Sequence, residues 1–587
     1  MRGFKAWIVG VCFACHLVSA SAATPDFDGL MQQALQAEIN NFESAEDLQP
    51  DSPRYLTHAL AQFYQQRDYR PVWTSTSLSQ LISNIPSLSA DGLNPQDYGL
   101  SRLKIAQQIV AMRNADAVNL RMNDELLATG VYFTAIFHLY FGKIDKDGEQ
   151  AQWQFNLSLL TDVLGSEFLS SIESAKIDAI FQKARPSHQL YQAMQKGLLD
   201  YRQYAANGGW PIIPEGLTLK PCDIDSRVAI LRQRLRVTGE YVDLPITENV
   251  REKTNLLEEC RKKFPTAITS VLNLLSDSDS THELDNNLDN AIFEFNAEEL
   301  FDPQLVDAVK QFQSEQYLDI DASVGASTRA ALNISVEDRV NQIRVNLDRA
   351  RSLFRQISSD IVLVDVAGFK LTYYRDSQPV WKTRVQVGQA YRTTPTFRSE
   401  IHYLTLNPGW TIPPTILRKD VLPKVRKNVN YLQEHSIRVY DITNKEIDAS
   451  KINWSAPGGI NLRQDYVTDG ALGKAVIRFP NPYSIYLHDT PYQRLFKKSQ
   501  RAFSSGCIRV ENIMELVEIL LKEKNGMNKE SVQAIIDTEK TRNITLATKV
   551  PVILAYWTVE VKENDKLVFK PDIYLRDQKA LAALNQQ

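Results

Sequence analysis

At 587 residues, with 43% hydrophobic and 23% charged side chains, the chain is too long for one hydrophobic core and reads as several soluble domains. Its net charge of −4 gives no electrostatic reason to bind nucleic acid. The sequence holds no G-x-G-x-x-G, no phosphate-loop motif and no Cys/His pattern with zinc spacing.

Arg2 and Lys5 precede an apolar run from Ala6 to Cys15, and Ser19-Ala20-Ser21-Ala22-Ala23 follows. This is the pattern of a signal peptide, residues 1–22, cut after Ala22. The run is too short to span a bilayer unaided and His16 interrupts it, so an uncleaved anchor is the lesser alternative. Export leaves three cysteines, Cys222, Cys260 and Cys507. An oxidising compartment favours pairing, and Cys222 and Cys260 lie in one region. A Cys222–Cys260 disulfide and a free, reactive Cys507 are expected.

From 23 to 217 the pattern is helical: Leu56, Leu60, Phe63 and Tyr64 recur at helical spacing, as do Leu126, Leu127, Tyr132, Phe133, Ile136 and Phe137. His58, His138 and His188 read as surface or packing residues. Gly208-Gly209-Trp210-Pro211 marks a break. A small helical module then spans 218–335, with helices near Val228–Leu235 and Leu305–Gln313 and a polar insertion around Ser276 to Asn290. A helical linker, 336–360, leads into a β-rich region, 361–561, with strand patterns at Ile361–Val366, Lys370–Tyr374, Val380–Val387, Ile401–Leu406, Ala475–Phe479, Ser484–His488 and Val550–Val561. Two prolines, Pro413 and Pro414, introduce a charged insertion, about 415–453. It reads as helical around Lys419 to Gln433 and is positioned to act as a lid. Residues 562–587 read as a C-terminal tail. The fold class is multidomain α+β.

The stretch Ser504-Ser505-Gly506-Cys507-Ile508-Arg509 places a cysteine after a flexible step, and His488 ends a strand nineteen positions upstream. A thiol that attacks carbonyls needs a base and backbone donors for the oxyanion. Residue identity alone leaves two readings open, a nucleophile and a buried structural thiol.

Several stretches point to a known family: Val387-Gly388, Thr393-Thr394-Pro395-Thr396-Phe397, Leu406-Asn407-Pro408-Gly409-Trp410-Thr411-Ile412-Pro413, and the His488 and Cys507 runs. Together they make 361–561 resemble the catalytic domain of L,D-transpeptidases, which cross-link bacterial peptidoglycan. Ser505 stands where histidine is usual, and Asp489 where many members carry glycine. Both departures resemble the large multidomain periplasmic branch. Phe63–Trp73, Asp91-Gly92-Leu93 and Gly208-Gly209-Trp210-Pro211 are similar to that branch's helical scaffold. The helices near Val228 and Leu305, with Gly325 and Thr328, resemble a peptidoglycan-binding module, although Tyr317 and Ala322 replace expected glycines.

The resemblance implies a periplasmic enzyme with no cofactor or metal and with tetrapeptide donor and acceptor stems as substrates. Other cell-wall enzymes are possible partners. It implies that His488 takes the proton of Cys507 to give a thiolate–imidazolium pair, and that Gly506 and Cys507 N–H groups hold the oxyanion. The resulting thioester is resolved by a second stem's diaminopimelate amine. Resolution by water (a carboxypeptidase or peptide hydrolase) and a non-catalytic wall-binding scaffold are the alternatives. Arg509 is the candidate for a substrate carboxylate; Trp410, Ser505, Tyr492 and Phe503 are candidates to line the cleft, and His402 reads as structural. Acylation of Cys507 by carbapenem-type β-lactams also follows from the resemblance. Which group orients His488 stays open: the Asp489 carbonyl, its carboxylate or another carbonyl.

Overall fold

The longest apolar helix, Val118–Phe141, is buried on several sides and organises the N-terminal domain. Tyr132 and Phe133 on it contact Phe63, Trp73, Phe168 and Phe181 through ring pairs. The computed structural model describes residues 26–44, 54–144, 157–242, 258, 260, 262, 297–562 and 564–586. The expected signal peptide and the polar interval at 276–290 lie outside the described residues. Within the described residues no helix is long and apolar enough to cross a membrane. The three scaffold histidines make local contacts: His138 bonds the Tyr98 hydroxyl, His58 meets Gln62, and His188 caps Leu190.

The small module packs helices Ser226–Thr238, Pro303–Glu315 and Ala326–Leu332 around Leu231, Leu235, Val309 and Phe312. Asp225 caps the first of these and Gly239, at φ 80°, ends it. Cys222 and Cys260 are joined by a disulfide. Tyr317 and Ala322 occupy the left-handed region at φ 56° and 61°. That conformation costs a non-glycine residue roughly 1–2 kcal/mol. Tyr317 offsets part of it by donating its hydroxyl to Glu560 of the β-rich region at 2.7 Å.

Helix Val336–Gln356 carries the chain into the β-rich region. Its buried Asp348 accepts from the Lys143 and Ile144 N–H groups, and its buried Arg351 reaches Tyr191 and the Asp91 carbonyl. The linker is thereby built into the scaffold.

The β-rich region contains β1 (Ile361–Asp365), β2 (Lys370–Arg375), β3 (Gln378–Gly388), β4 (Phe397–Leu406), β5 (Trp410–Thr411), β6 (Ile437–Asp441), β7 (Glu446–Ile447), β8 (Ile460–Gln464), β9 (Ala475–Arg478), β10 (Leu487–His488), β11 (Ala502–Ser504), β12 (Ile508–Val510), β13 (Arg542–Ala555), β14 (Val559–Val561) and β15 (Leu567–Phe569). The main sheet runs β11-β3-β12-β10-β9-β4-β13-β1-β2. The first half of β3 also pairs with β2, so the sheet returns on itself. Helix Ile513–Asn525 lays Leu516, Val517, Leu520 and Leu521 in the same core as Leu404, Ile477, Leu487 and Ile508. Side chains alternate across a strand, so the residues between these apolar positions face the other way.

Two expectations change. The insertion is not only helical: Pro414–Lys427 forms continuous helical turns, but β5, β8, β6 and β7 form a separate four-stranded sheet behind them. Its strands are two to five residues long and take their order from pairing with one another, which periodicity over so short a run does not reveal. The segment after Val561 is no loose tail. It supplies β15, the buried Lys570 and helix Arg576–Asn585, whose Ala580 and Leu584 sit in the scaffold core.

Candidate active site

Strand register fixes the site. β10 and β12 run parallel with Leu487 opposite Ile508 and His488 opposite Arg509. β9 lies antiparallel on the far side of β10, with Val476 opposite His488 and Ile477 opposite Leu487. Leu487, Ile508 and Ile477 enter the core, so His488, Arg509 and Val476 form one row on the outer face. Stepping one alternation along the strands gives a second row on that face: Tyr403, Arg478, Tyr486 and Cys507. Tyr403 is opposite Arg478, and the Arg478 guanidinium lies 5.1 Å from the Tyr486 ring. The Ile508 N–H bonds the Tyr486 carbonyl at 3.1 Å, which holds the Cys507 segment beside Tyr486.

His488 is buried and its Nδ1 lies 2.6 Å from the Asp489 backbone carbonyl. A carbonyl only accepts, so Nδ1 carries the proton and Nε2 holds the lone pair. The Asp489 carboxylate is occupied elsewhere, by the Lys474 and Thr490 N–H groups. The orienting group is therefore the carbonyl.

Burial, the Arg509 cation and then Arg478 hold the His488 ring down to about 3, against the opposing pull of the Asp489 carbonyl. Burial pushes the Cys507 thiol up, while Tyr486, Arg478 and Arg509 favour its thiolate. Burial thus favours the neutral form of each group. The thiol meets the Ser484 carbonyl at 3.7 Å, and no hydrogen bond joins it to His488 among the described residues. Desolvation penalises both charges of the expected thiolate–imidazolium pair.

Gly506 adopts φ +115°, which an L side chain resists, and this turns the chain into Cys507. Its N–H is taken by Ser504 Oγ at 3.1 Å, and Ser504 in turn donates to the Cys507 carbonyl. Its own carbonyl accepts from Thr394. Gly506 is therefore not the free donor that the motif suggested. Cys507 itself sends its N–H to no acceptor among the described residues.

The remaining candidates divide. Arg509 is half-buried, donates to Gln386 at 3.3 Å and has no carboxylate partner among the described residues. Its Nε and the Gln386 Nε2 are buried donors without acceptors, which suits an incoming anion. Trp410 packs on the insertion's core, and its side chain acts on Tyr486, beside the site. Ser505 is exposed and accepts from Arg392, which is paired with Asp420 of the insertion at 2.6 Å. Tyr492 is exposed, 6.0 Å from the Arg509 guanidinium. Phe503 lies half-buried on β11, with no ring contact that ties it to the site among the described residues. Sequence reading missed Tyr486 and Arg478. Tyr486 was detectable, since it lies two residues before His488 and so shares its face.

Residues 359–552 match the family model of the L,D-transpeptidase catalytic domain. The chain carries an L,D-transpeptidase domain. Residues 58–198 match a scaffold domain, and 278–332 match a model described as "Putative peptidoglycan binding domain". A "Putative L,D-transpeptidase" of Haemophilus influenzae is 36% identical over 228 residues, covering 38% of this chain and 46% of the relative. The chain thus matches just under half the length of that relative. Among solved structures, an L,D-transpeptidase from Mycobacterium smegmatis is 14% identical over 33% of this chain and 58% of that one, at a TM-score of 0.15. An LD transpeptidase in complex with imipenem is 12% identical over 34% and 59%, also at 0.15. In the L,D-transpeptidase domain, both the cysteine and the histidine stand on the outer face of the sheet, next to the insertion.

Proposed function

We propose that this protein is an exported peptidoglycan L,D-transpeptidase that joins two diaminopimelate residues through a Cys507 thioester. The observation that carries the reading is the placement of Cys507 and His488 in adjacent rows of one sheet face, with the His488 lone pair fixed on Nε2 by the Asp489 carbonyl.

Cys507 Sγ attacks the carbonyl between diaminopimelate and the terminal D-alanine as His488 Nε2 takes its proton. Coupling the transfer to attack avoids a free ion pair in a site that disfavours both charges. The Cys507 N–H is the free donor for the oxyanion; one such donor contributes about 3 kcal/mol in other enzymes. The carbon–nitrogen bond then breaks, the leaving amine collects the proton from His488, and a thioester remains. In the second half, His488 takes a proton from the side-chain amine of an acceptor stem. That amine attacks the thioester, the carbon–sulfur bond breaks, and the proton returns to Sγ.

Incubating the full chain with purified tetrapeptide muropeptides and weighing the products tests the reading. Cross-linked dimers that vanish in Cys507→Ala support transfer, tripeptide without dimer identifies a hydrolase, and no product from the wild type overturns both. Carbapenems should add covalently to Cys507, because the same attack opens a β-lactam ring and leaves no departing fragment; an unchanged intact mass would count against it.

A further inference from the structure

A cavity of about 290 Å³ opens beside the nucleophile, lined by His402, Tyr403, Arg478, Asn481, Ser484 and Tyr486. Two of these linings adjoin the reacting thiol: the Ser484 carbonyl accepts from it, and Tyr486 favours its thiolate. The only charged side chain in the wall that is always ionised is Arg478. Its Nε makes one long bond, 3.4 Å to Thr405, and its guanidinium rests over the Tyr486 ring. No carboxylate lies within ion-pair reach of it among the described residues. A guanidinium held by an aromatic face, with its fork unspent, is ready for bidentate binding of a carboxylate.

We propose that Arg478 binds the side-chain carboxylate of the donor stem's diaminopimelate and so selects stems in which that group is free. The inference rests on the transpeptidase reading. Cys507 and Arg478 are two strands apart in one row, about 10 Å between backbones at the usual strand spacing. Six bonds separate the attacked carbonyl of diaminopimelate from its distal carboxylate, about 7 Å when extended, and the arginine side chain spans the remainder. The cavity is also small, near the lower end for ligand sites, which suits a branch that ends there. The peptide main chain has to run on to the glycan, so the glutamate carboxylate lies along that path, whereas the diaminopimelate carboxylate ends a branch. Arg509, on the neighbouring row beside His488, is left for the carboxylate of the departing D-alanine.

The test is D-alanine release by the full chain from three synthetic tetrapeptide stems: unmodified, amidated at the diaminopimelate side-chain carboxylate, and amidated at the glutamate carboxylate. Wild type is expected to lose about tenfold or more in kcat/KM on the diaminopimelate amide, the scale of a lost charge-assisted hydrogen bond. Most of that loss falls on KM. Arg478→Ala is expected to release D-alanine from all three stems at similar, reduced efficiency, and Arg478→Lys to restore part of the preference. Wild type that treats all three alike, or an Arg478→Ala enzyme that keeps the wild-type preference, overturns the assignment alone. A preference that follows the glutamate amide does the same. A wild type that releases D-alanine from none of the stems overturns the transpeptidase reading and the assignment together.

Discussion

His488 and Arg509 stand directly opposite one another on parallel strands, so a permanent cation faces the ring that the proposed mechanism makes the base. Burial first, and this cation second, hold His488 unprotonated well into acid. Activity should therefore stay level from neutrality down towards the ring's value of about 3. Arg509→Met removes the nearest cation and raises the His488 pKa, though burial still holds it below the ordinary 6.5. NMR titration of the ring reads this directly, and the acid limb of kcat/KM should move up with it. An unmoved titration would show that Arg509 does not act on the ring.

Gly506→Ala should harm both fold and chemistry. At φ +115° a side chain is strained, and the added Cβ would lie 3.3 Å from Ile485. The strain is worth about 1–3 kcal/mol. Relief would swing the Cys507 N–H away from the thiol's face, so D-alanine release should fall further than the melting temperature alone implies. A variant with wild-type melting and turnover would refute the role given to this turn.

Lys570 and Asp365 form a buried pair at 2.5 Å, and the Gly368 N–H supports the same carboxylate. Lys570→Met leaves Asp365 buried without its counter-charge. The expected loss is about 3–5 kcal/mol in denaturant unfolding. A smaller loss, below about 1 kcal/mol, would mean that the pair is dispensable.

Glu125 in the scaffold accepts from the Val72 N–H at 2.5 Å and from the Tyr64 hydroxyl, and burial lifts its pKa from 4.5 to about 7. Between those values the native state holds a proton that the unfolded state has released, so stability falls as pH rises through this window. The loss is up to about 3 kcal/mol above pH 7. Glu125→Gln keeps an accepting oxygen and has no charge to bury. It should melt higher than wild type at pH 8 and alike at pH 4, as read by calorimetry.

The candidate pair, Cys507 and His488, was legible because its signal is local: a glycine, a thiol two residues before an arginine, and a histidine at a strand end. The strand boundaries were less so. β10 holds only Leu487 and His488, and Ser484 belongs to the turn before it, where its carbonyl meets the thiol. Arg478 was invisible as a site residue, since a lone arginine at a strand end is the commonest of surface features. Its meaning comes from register, which puts it beside Tyr486 only after β9 and β10 pair. The role of Gly506 was misjudged for a similar reason. Its N–H is spent on Ser504 Oγ, a side-chain contact that backbone flexibility alone does not foretell.

The small module meets the catalytic domain at several points. Lys566 bridges Glu240 and Glu315 at 3.1 and 3.0 Å, Tyr317 reaches Glu560, and Asp319 accepts from Ser499 on the segment between His488 and Cys507. With these struts in place, the module does not swing on a tether. Whatever it grips is presented to Cys507 at one offset and one angle, so the folded chain behaves as a jig. The spacing between an anchoring point and the bond being made is then set by the architecture, and a longer linker would blur it.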